Sequence, residues 1–481
     1  MRAAIALIAA STLMRFFYAA WLPLLPDESY YFQWSKHLDA SYISKGPAVA
    51  YTIWAGTHLF GGTNLGVRFF AVLLSAGTAW QIFLLARRFY DQATGLIAVL
   101  VTSVVPIYAL GSVVMTIDPL SAFFWIWAAN CFARAVAEDR LSDWLLAGFA
   151  VGCGFLAKYL NALELLAFLA FLALVPAHRH LLRQRGFWLM LAVAVFCTTP
   201  VLWWNWHHHW ISATALGNRG HLGKYDGPLD LHANTFFSFI GMQMLVISPL
   251  LFFALLATIA IVILRWRAGH ARNEGELLLF LLFLPVFGMY AVLSWHLRCE
   301  PNWPAISYLT LIIILASHWR KLLAVRARAQ PFVIVVFLGA WLQTLLMHLT
   351  FLMPLPQGFD PMGRVAGWSE IAGHLDDLRK TEHADVLIAD AYKEASIFSF
   401  HLPDQPFIYT LRHVPPSTQY DLWEKYPTAP SHRALWITDE PWTNPVQADF
   451  NTITFVERIL VSYRGKPFRI YDVYRCENRP Q

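Results

Sequence analysis

Residues 235–264 read TFFSFIGMQMLVISPLLFFALLATIAIVIL and contain no charged side chain. About 20 apolar residues in a helix are enough to cross the hydrocarbon core of a bilayer. This stretch is longer than that, so we predict a helix that is tilted or is broken near Pro249. Helices in the core of a water-soluble protein rarely contain an apolar run of this length. The stretch therefore predicts an integral membrane protein.

The rest of the chain up to about residue 352 repeats this pattern. Of the 481 residues, 57% are hydrophobic and 14% are charged, whereas a soluble domain has about 25% charged residues. We predict about eleven transmembrane helices, at roughly 3–22, 65–86, 94–111, 116–134, 143–158, 160–177, 187–204, 235–264, 276–295, 303–318 and 331–352.

Basic residues between the spans predict their orientation. Arg87 and Arg88 follow the second span, and Arg320 and Lys321 follow the tenth. Cytoplasmic loops carry an excess of Lys and Arg, so even-numbered spans are predicted to end inside. We therefore expect a multi-pass protein of the cell inner (plasma) membrane, with a cytoplasmic N-terminus.

The composition changes after about residue 352, where charged residues recur every few positions. We divide the chain into a transmembrane domain, residues 1–352, and a soluble extracytoplasmic domain, residues 353–481. Strand-like runs of apolar residues alternate there with amphipathic stretches, which predicts an α/β domain. The clearest of these are strands at 384–388, 434–438 and 452–460, and a helix at 392–400.

The first predicted outer loop, residues 26–51, reads PDESYYFQWSKHLDASYISKGPAVAY. Asp27 and Glu28 could serve as a general base or a cation site, or Asp27 could merely cap a helix. Lys45 lies on a Gly-Pro turn, where it could meet a phosphate or be an ordinary surface lysine. Tyr30 and Tyr31 could line a groove or anchor an interfacial helix.

A second acidic motif, MTIDPLSAFFW, covers residues 115–125. Asp118 lies where the third span meets the fourth, and a carboxylate near hydrocarbon is costly and often functional. The alternative is an N-cap, since Pro119 suits the first position of a helix. Lys158, near the junction of the fifth and sixth spans, is an intramembrane charge that needs a partner.

Two further outer loops carry basic groups. The loop 205–234 has five histidines together with Arg219 and Lys224. The histidine spacing matches no metal site, and a basic loop that faces phosphate is favoured. In the last outer loop, Arg298 can bind a phosphate through two hydrogen bonds. Five cysteines without a CxxC pair also argue against a metal cage.

Several of these segments resemble a known group of enzymes. PDESYYFQWS, the KGP turn and the later LGVRFF are similar to the polyprenyl-phosphate-sugar-dependent glycosyltransferases of the GT-C superfamily. More narrowly, the chain looks like the protein-O-mannosyltransferase and aminoarabinose-transferase-like group of that superfamily, glycosyltransferase families 39 and 83. MTIDPLSAFFW, GFLAKY, RCEPNWPAISYL and stretches of the C-terminal domain extend the similarity over nearly the whole chain.

The resemblance implies a membrane helix bundle with an active-site cavity at the outer face. Asp27 occupies the position of the family's first-loop acid, with Glu28 as its neighbour. Lys45 matches a lysine that binds lipid phosphate, although members often have KPP where this chain has KGP. Asp118 matches the second-loop acid, and Arg298 stands where many members carry a lysine.

The implied reaction moves a sugar from a polyprenyl-phosphate donor to an extracytoplasmic acceptor hydroxyl, with inversion. Asp27 would accept the hydroxyl proton, while Lys45 and Arg298 would neutralise the leaving phosphate. The chain lacks the large inserted domain of eukaryotic protein mannosyltransferases, which favours a lipid or glycan acceptor over a protein.

No nucleotide-binding P-loop is present, because no GxxxxGK[ST] motif occurs in the sequence. The expected partners are the lipid-linked donor, the acceptor and membrane lipids, and no nucleic acid. No cofactor is predicted, although a divalent cation beside Asp27 and Glu28 is left open. The alternative function is a transporter or flippase of a lipid-linked sugar.

Overall fold

The fold comes from a computed structural model, described here for residues 1–219, 232–269, 273–351, 353, 360–413, 416–439 and 446–478. The chain forms two compact units. The first comprises residues 1–20, 45–49 and 68–353, and the second comprises residues 21–44, 50–67 and 354–481. The division predicted at residue 353 concerns membrane-embedded and soluble parts, and it stays a prediction.

Helices make up almost all of the chain before residue 350. They are α1 (Arg2–Trp21), α2 (Pro26–Lys36), α3 (Ala48–Phe60), α4 (Asn64–Phe89), α5 (Gln92–Val104), α6 (Pro106–Gly111), α7 (Ile117–Glu138), α8 (Leu141–Ala157), α9 (Leu163–Leu174), α10 (Arg185–His207), α11 (Ile211–Arg219), α12 (Ala233–Ile247), α13 (Pro249–Arg267), α14 (Glu274–Leu293), α15 (Ala305–Val325) and α16 (Gln330–Leu349).

Eight helices in the described part of the chain are long and apolar enough to cross a membrane, namely α1, α4, α7, α10, α13, α14, α15 and α16. Shorter apolar helices include α5, α8 and α12. The predicted multi-pass membrane fold is therefore confirmed, whereas the count of eleven spans and their orientation stay predictions.

Proline explains where two predicted spans are interrupted. The break expected in 235–264 is confirmed, because α12 ends at Ile247 and α13 begins at Pro249. Proline cannot donate the backbone hydrogen bond that would continue a helix. In the same way, Pro106 divides the run predicted at 94–111 into α5 and α6.

The first unit packs around α15. Every residue of this helix from Ala305 to Ser317 is buried, as expected for a helix that is apolar on all sides. Close helix contacts support the packing elsewhere: a β-carbon at Gly148 of α8 would lie 2.2 Å from the carbonyl oxygen of Met190 on α10. Only glycine permits the two backbones to approach so closely.

A sheet forms the centre of the second unit. Its elements are α17 (Trp368–Thr381), β1 (Val386–Ala389), α18 (Tyr392–His401), β2 (Tyr409–Thr410), β3 (Arg433–Thr438), α19 (Val446–Asp449), β4 (Thr452–Tyr463) and β5 (Lys466–Glu477). The strand order is β2-β1-β3-β5-β4. β1 is parallel to β2 and β3, and β5 is antiparallel to β3 and β4. The predicted α/β domain is confirmed.

The second unit also contains α2 from the first predicted outer loop. The buried amide of Gln33 donates a hydrogen bond to the hydroxyl of Ser399 on α18, at 2.8 Å. The backbone N–H of Ile43 donates to the side-chain oxygen of Gln419 at 2.9 Å. Buried polar groups that are paired in this way fix the orientation of an element, so α2 and the loop that follows it are held by residues more than 350 positions later in the chain.

Candidate active site

Asp118 lies in the first turn of α7 and is held by two side chains. Its carboxylate accepts hydrogen bonds from the ammonium of Lys158 at 2.9 Å and from the amide of Asn302 at 2.8 Å. The N-cap of α7 is Thr116, whose hydroxyl accepts the N–H of Asp118 at 3.2 Å. The predicted capping role of Asp118 is therefore wrong, since its carboxylate is used for the ion pair.

Lys158 directly follows the last residue of α8, and it is 9% exposed. A turn places it there: the N–H of Asn161 donates to the carbonyl of Lys158 at 2.9 Å. Asn161 in turn makes two hydrogen bonds with Ser121 of α7, at 2.6 and 3.1 Å, and both residues are fully buried. The turn carrying Lys158 is thus fastened to α7 three residues beyond Asp118.

The KGP turn packs against the same end of α8. A β-carbon at Gly46 would lie 2.1 Å from the carbonyl oxygen of Leu156, so only glycine fits this contact. The neighbouring Lys45 is half-buried, and its positive charge acts on Asp118. The structure therefore brings together Lys45, Asp118 and Lys158, which sequence analysis had selected separately.

The loop between α14 and α15 supplies the remaining groups. Asn302 bonds Asp118, and the carbonyl of Trp303 accepts a hydrogen bond from Lys158 at 3.4 Å. Arg298, the residue of this loop that the sequence predicts to bind phosphate, is exposed, and the contact of Asn302 with Asp118 is not predicted. The feature of the sequence that could have indicated Asn302 is its amide side chain, which directly precedes a Trp-Pro pair at the start of a predicted span.

The first-loop acids belong to the second unit. α2 begins at Pro26, and the carboxylate of Glu28 accepts the N–H of Leu25 at 3.0 Å. Glu28 is fully buried, whereas Asp27 is exposed. The capping role predicted for Asp27 is therefore wrong, because Glu28 satisfies the free backbone group at the start of the helix.

Tyr30 occupies a packed position within the second unit. Its ring is 7% exposed and lies 4.5 Å from that of Tyr392. Its hydroxyl accepts the backbone N–H of Gln419 at 2.7 Å. Tyr31 is half-buried, with its ring 6.1 Å from that of Tyr30. Substrate binding by these tyrosines stays a prediction, and the contacts of Tyr30 favour packing of α2.

The basic loop after α10 is described only in part. Arg219 is the last residue of α11, and Lys224 lies outside the described residues. Their predicted contact with phosphate therefore stays a prediction. Among the residues that the structure describes, no group of three or more His, Cys, Asp or Glu side chains could hold a metal ion.

Comparison with known proteins agrees with this architecture. Residues 44–204 match the family model described as dolichyl-phosphate-mannose-protein mannosyltransferase. The lipid A galacturonosyltransferase RgtD of Rhizobium johnstonii is 25% identical over 459 residues, which cover 93% of this chain and 92% of that protein.

A second relative and a solved structure are also similar to this chain. The undecaprenyl phosphate-alpha-4-amino-4-deoxy-L-arabinose arabinosyl transferase of Edwardsiella ictaluri is 32% identical over 160 residues, 29% of this chain and 28% of that protein. The crystal structure of ArnT from Cupriavidus metallidurans bound to undecaprenyl phosphate superposes with a TM-score of 0.67 and 16% identity, covering 99% of both chains.

The chain thus has the same overall fold as the solved ArnT structure. The similarity to glycosyltransferases, which in one relative extends over most of the chain, identifies this protein as a membrane glycosyltransferase. This confirms the glycosyltransferase predicted from the sequence.

Proposed function

We propose that the enzyme transfers a sugar from a polyprenyl-phosphate donor to a hydroxyl group of a lipid or glycan acceptor, on the extracytoplasmic side of the inner membrane. The observation that carries this proposal is the group formed by Lys45, Asp118 and Lys158 at the start of α7. Two cations held beside a partly buried carboxylate suit a phosphate that leaves with its charge. The undecaprenyl phosphate bound to the related ArnT supports the donor.

A lipid acceptor is favoured by the relative that aligns over most of the chain. That relative is described as acting on lipid A, and it covers the C-terminal domain as well as the membrane helices. Lipid A presents sugar hydroxyl groups at a membrane surface, so donor and acceptor would both be held at one interface.

In the proposed reaction, the acceptor oxygen attacks the anomeric carbon as the bond from that carbon to the phosphate oxygen breaks. The hydroxyl proton passes to the carboxylate of Asp27, which is exposed and can approach an acceptor. The electron pair of the broken bond stays on the polyprenyl phosphate, where Lys45 and Arg298 would neutralise it. A single displacement inverts the anomeric configuration.

Asp118 has a supporting role in this scheme. Its carboxylate accepts a hydrogen bond from Lys158 at 2.9 Å, so it would hold that ammonium in one orientation toward the donor phosphate. Preorganised charge of this kind lowers the barrier without a reorganisation cost at the moment of reaction. Tyr31, Arg219 and Lys224 are proposed as further contacts to substrate.

The direct test is Asp27→Asn, assayed in purified enzyme with a polyprenyl-phosphate sugar and envelope glycolipids as acceptors. Loss of the general base should lower turnover by at least about 100-fold. Asp39→Asn is the matched control, because it removes one charge from the same loop while keeping an oxygen for the N–H of Ala40. Turnover of Asp27→Asn close to that of wild type would overturn the base assignment.

The same assay tests the rival functions. Mass spectrometry of the acceptor fraction should reveal a new glycolipid, which a transporter or flippase would not make. Adding EDTA tests the divalent cation that the sequence left open, since turnover that survives chelation needs no metal.

A further inference from the structure

Two hollows follow one another along α4, far from Asp118. The first, of about 270 Å³, is lined only by apolar residues, Ile5, Ile8 and Ala9 of α1 and Trp80 of α4. The second, of about 460 Å³, is lined by Leu84, Arg87 and Arg88 of α4 and by Asn130 and Arg134 of α7. An apolar hollow beside one rimmed by three guanidinium groups matches the two chemical parts of a phospholipid.

The two hollows lie on one stripe of the helix. Trp80, Leu84 and Arg87 are four and three residues apart, and residues at this spacing share one face of an α-helix. Arg87 is also close to the start of α1, since its guanidinium lies 3.9 Å from the sulfur of Met1. The apolar groove between α1 and α4 therefore leads toward the arginines at the ends of these helices.

Arg134 lies near the opposite end of α7 from the active-site residue Asp118. Asp118 is at the second position of α7 and Arg134 lies 16 residues later in the same helix. At a rise of 1.5 Å per residue the two are about 24 Å apart along the axis, which approaches the thickness of the hydrocarbon core. The second hollow thus lies at the level of lipid headgroups.

The charges around this hollow favour an anion. Arg134 pairs with Asp143 at 2.6 Å, and Arg88 lies 3.7 Å from Glu138. Glu138 is shared, because Arg140 is closer to it, at 3.0 Å. Within the described residues, Arg87 has no carboxylate within 4.0 Å and its side chain is exposed. Basic pockets between transmembrane helices bind the headgroups of anionic lipids.

We propose that α1, α4 and α7 form a binding site for an anionic phospholipid on the face opposite to catalysis. One acyl chain would lie in the groove at Ala9 and Trp80, and the phosphate would bind Arg87 and Arg88, with Arg134 fixed by Asp143 at the rim. This site is separate from the residues proposed for sugar transfer, and it stands whether or not that proposal does.

The charge of the site is tested with the double variant Arg87→Gln/Arg88→Gln in the purified full-length protein. Native mass spectrometry and thermal unfolding would be followed with phosphatidylglycerol, phosphatidylcholine or inorganic phosphate added. Of the three additives, only phosphatidylglycerol should stay bound to wild type and raise its thermal midpoint. The double variant should bind phosphatidylglycerol roughly tenfold to thirtyfold more weakly at low salt. Arg326→Gln/Arg328→Gln, the same charge change after α15, should bind like wild type.

The groove is tested with Ala9→Phe, which fills it without changing any charge. Ala10→Phe is the control, because Ala10 is also exposed but is not part of the groove. Retention of phosphatidylglycerol should fall for Ala9→Phe alone. The proposal would be overturned if phosphatidylcholine stabilised the protein equally, or if inorganic phosphate saturated the site. It would also be overturned if the Arg326/Arg328 control lost as much lipid binding as the site variant, or if lipid retention were unchanged in both site variants.

Discussion

Asp27 and Asp118 occupy the same position in their helices and have opposite surroundings. Each is the second residue of its helix, in α2 and α7 respectively. Asp118 accepts hydrogen bonds from two side chains of other elements, whereas Asp27 is exposed and its neighbour Glu28 is buried against the backbone of Leu25. The position of an acidic residue in the first turn of a helix therefore does not determine its surroundings. Its surroundings depend on the side chains that the fold brings next to it.

In the proposed mechanism, this difference in surroundings gives the two acids different roles. A carboxylate held by an ammonium and an amide has a fixed orientation and can position other groups. An exposed carboxylate has room to meet an incoming hydroxyl group. The proposed mechanism therefore uses Asp118 as an organiser of charge and Asp27 as the group that exchanges a proton.

The largest expected effect comes from breaking the Asp118 pair. Lys158→Met leaves a partly buried carboxylate without its cation, which is strongly destabilising for a buried pair, and turnover should fall roughly 100-fold. Asp118→Asn should cost a similar amount. Turnover and thermal midpoint would be measured for both variants and for the double variant Asp118→Asn/Lys158→Met.

Because the two side chains act as one unit, the double variant should be no worse than either single variant. Losses in turnover that multiply would show that the two residues act independently, and would remove the organising role assigned to Asp118.

A smaller effect should separate Glu28 from Asp27. Glu28→Gln keeps an oxygen for the N–H of Leu25 but weakens that bond by removing its charge, so the free energy of unfolding should fall by about 1 kcal/mol. Turnover should be unchanged. Chemical or thermal unfolding beside the transfer assay checks both quantities, and a large loss of turnover would instead make Glu28 part of the reaction.

The last effect appears only in acid and concerns the support of α2. His401 ends α18, the helix that carries Ser399, and burial lowers the pKa of His401 to about 4. The unfolded chain takes up the proton near pH 6.5, so this contribution to stability is complete above pH 6.5 and is lost as the pH falls toward 4. The loss should reach about 2 kcal/mol.

Thermal midpoints of wild type and His401→Gln at pH 7.5 and 4.5 test this expectation. The midpoint of wild type should fall more steeply with acid than that of the variant. Parallel curves would show that other groups dominate the acid response.

The sequence predicts the parts of this protein that depend on local pattern. Apolar runs locate the membrane helices, Pro249 marks a break, and strand-like runs locate most of the sheet. The partners of Asp118 were out of reach because Lys158 and Asn302 follow it by 40 and 184 positions. The inclusion of α2 in the second unit depends on contacts as distant as that between Gln33 and Ser399, which no local pattern reveals.

Gly46 gives the departure from the KPP pattern a physical reason. The ring of a proline would need the space that the carbonyl oxygen of Leu156 fills, 2.1 Å from where a β-carbon would stand. The turn that carries Lys45 therefore packs against the main chain of α8. A substitution of a side chain on α8 cannot remove this contact. We therefore expect that a chimera with a KPP turn at residues 45–47 folds only if residues 156–158 are exchanged together with it.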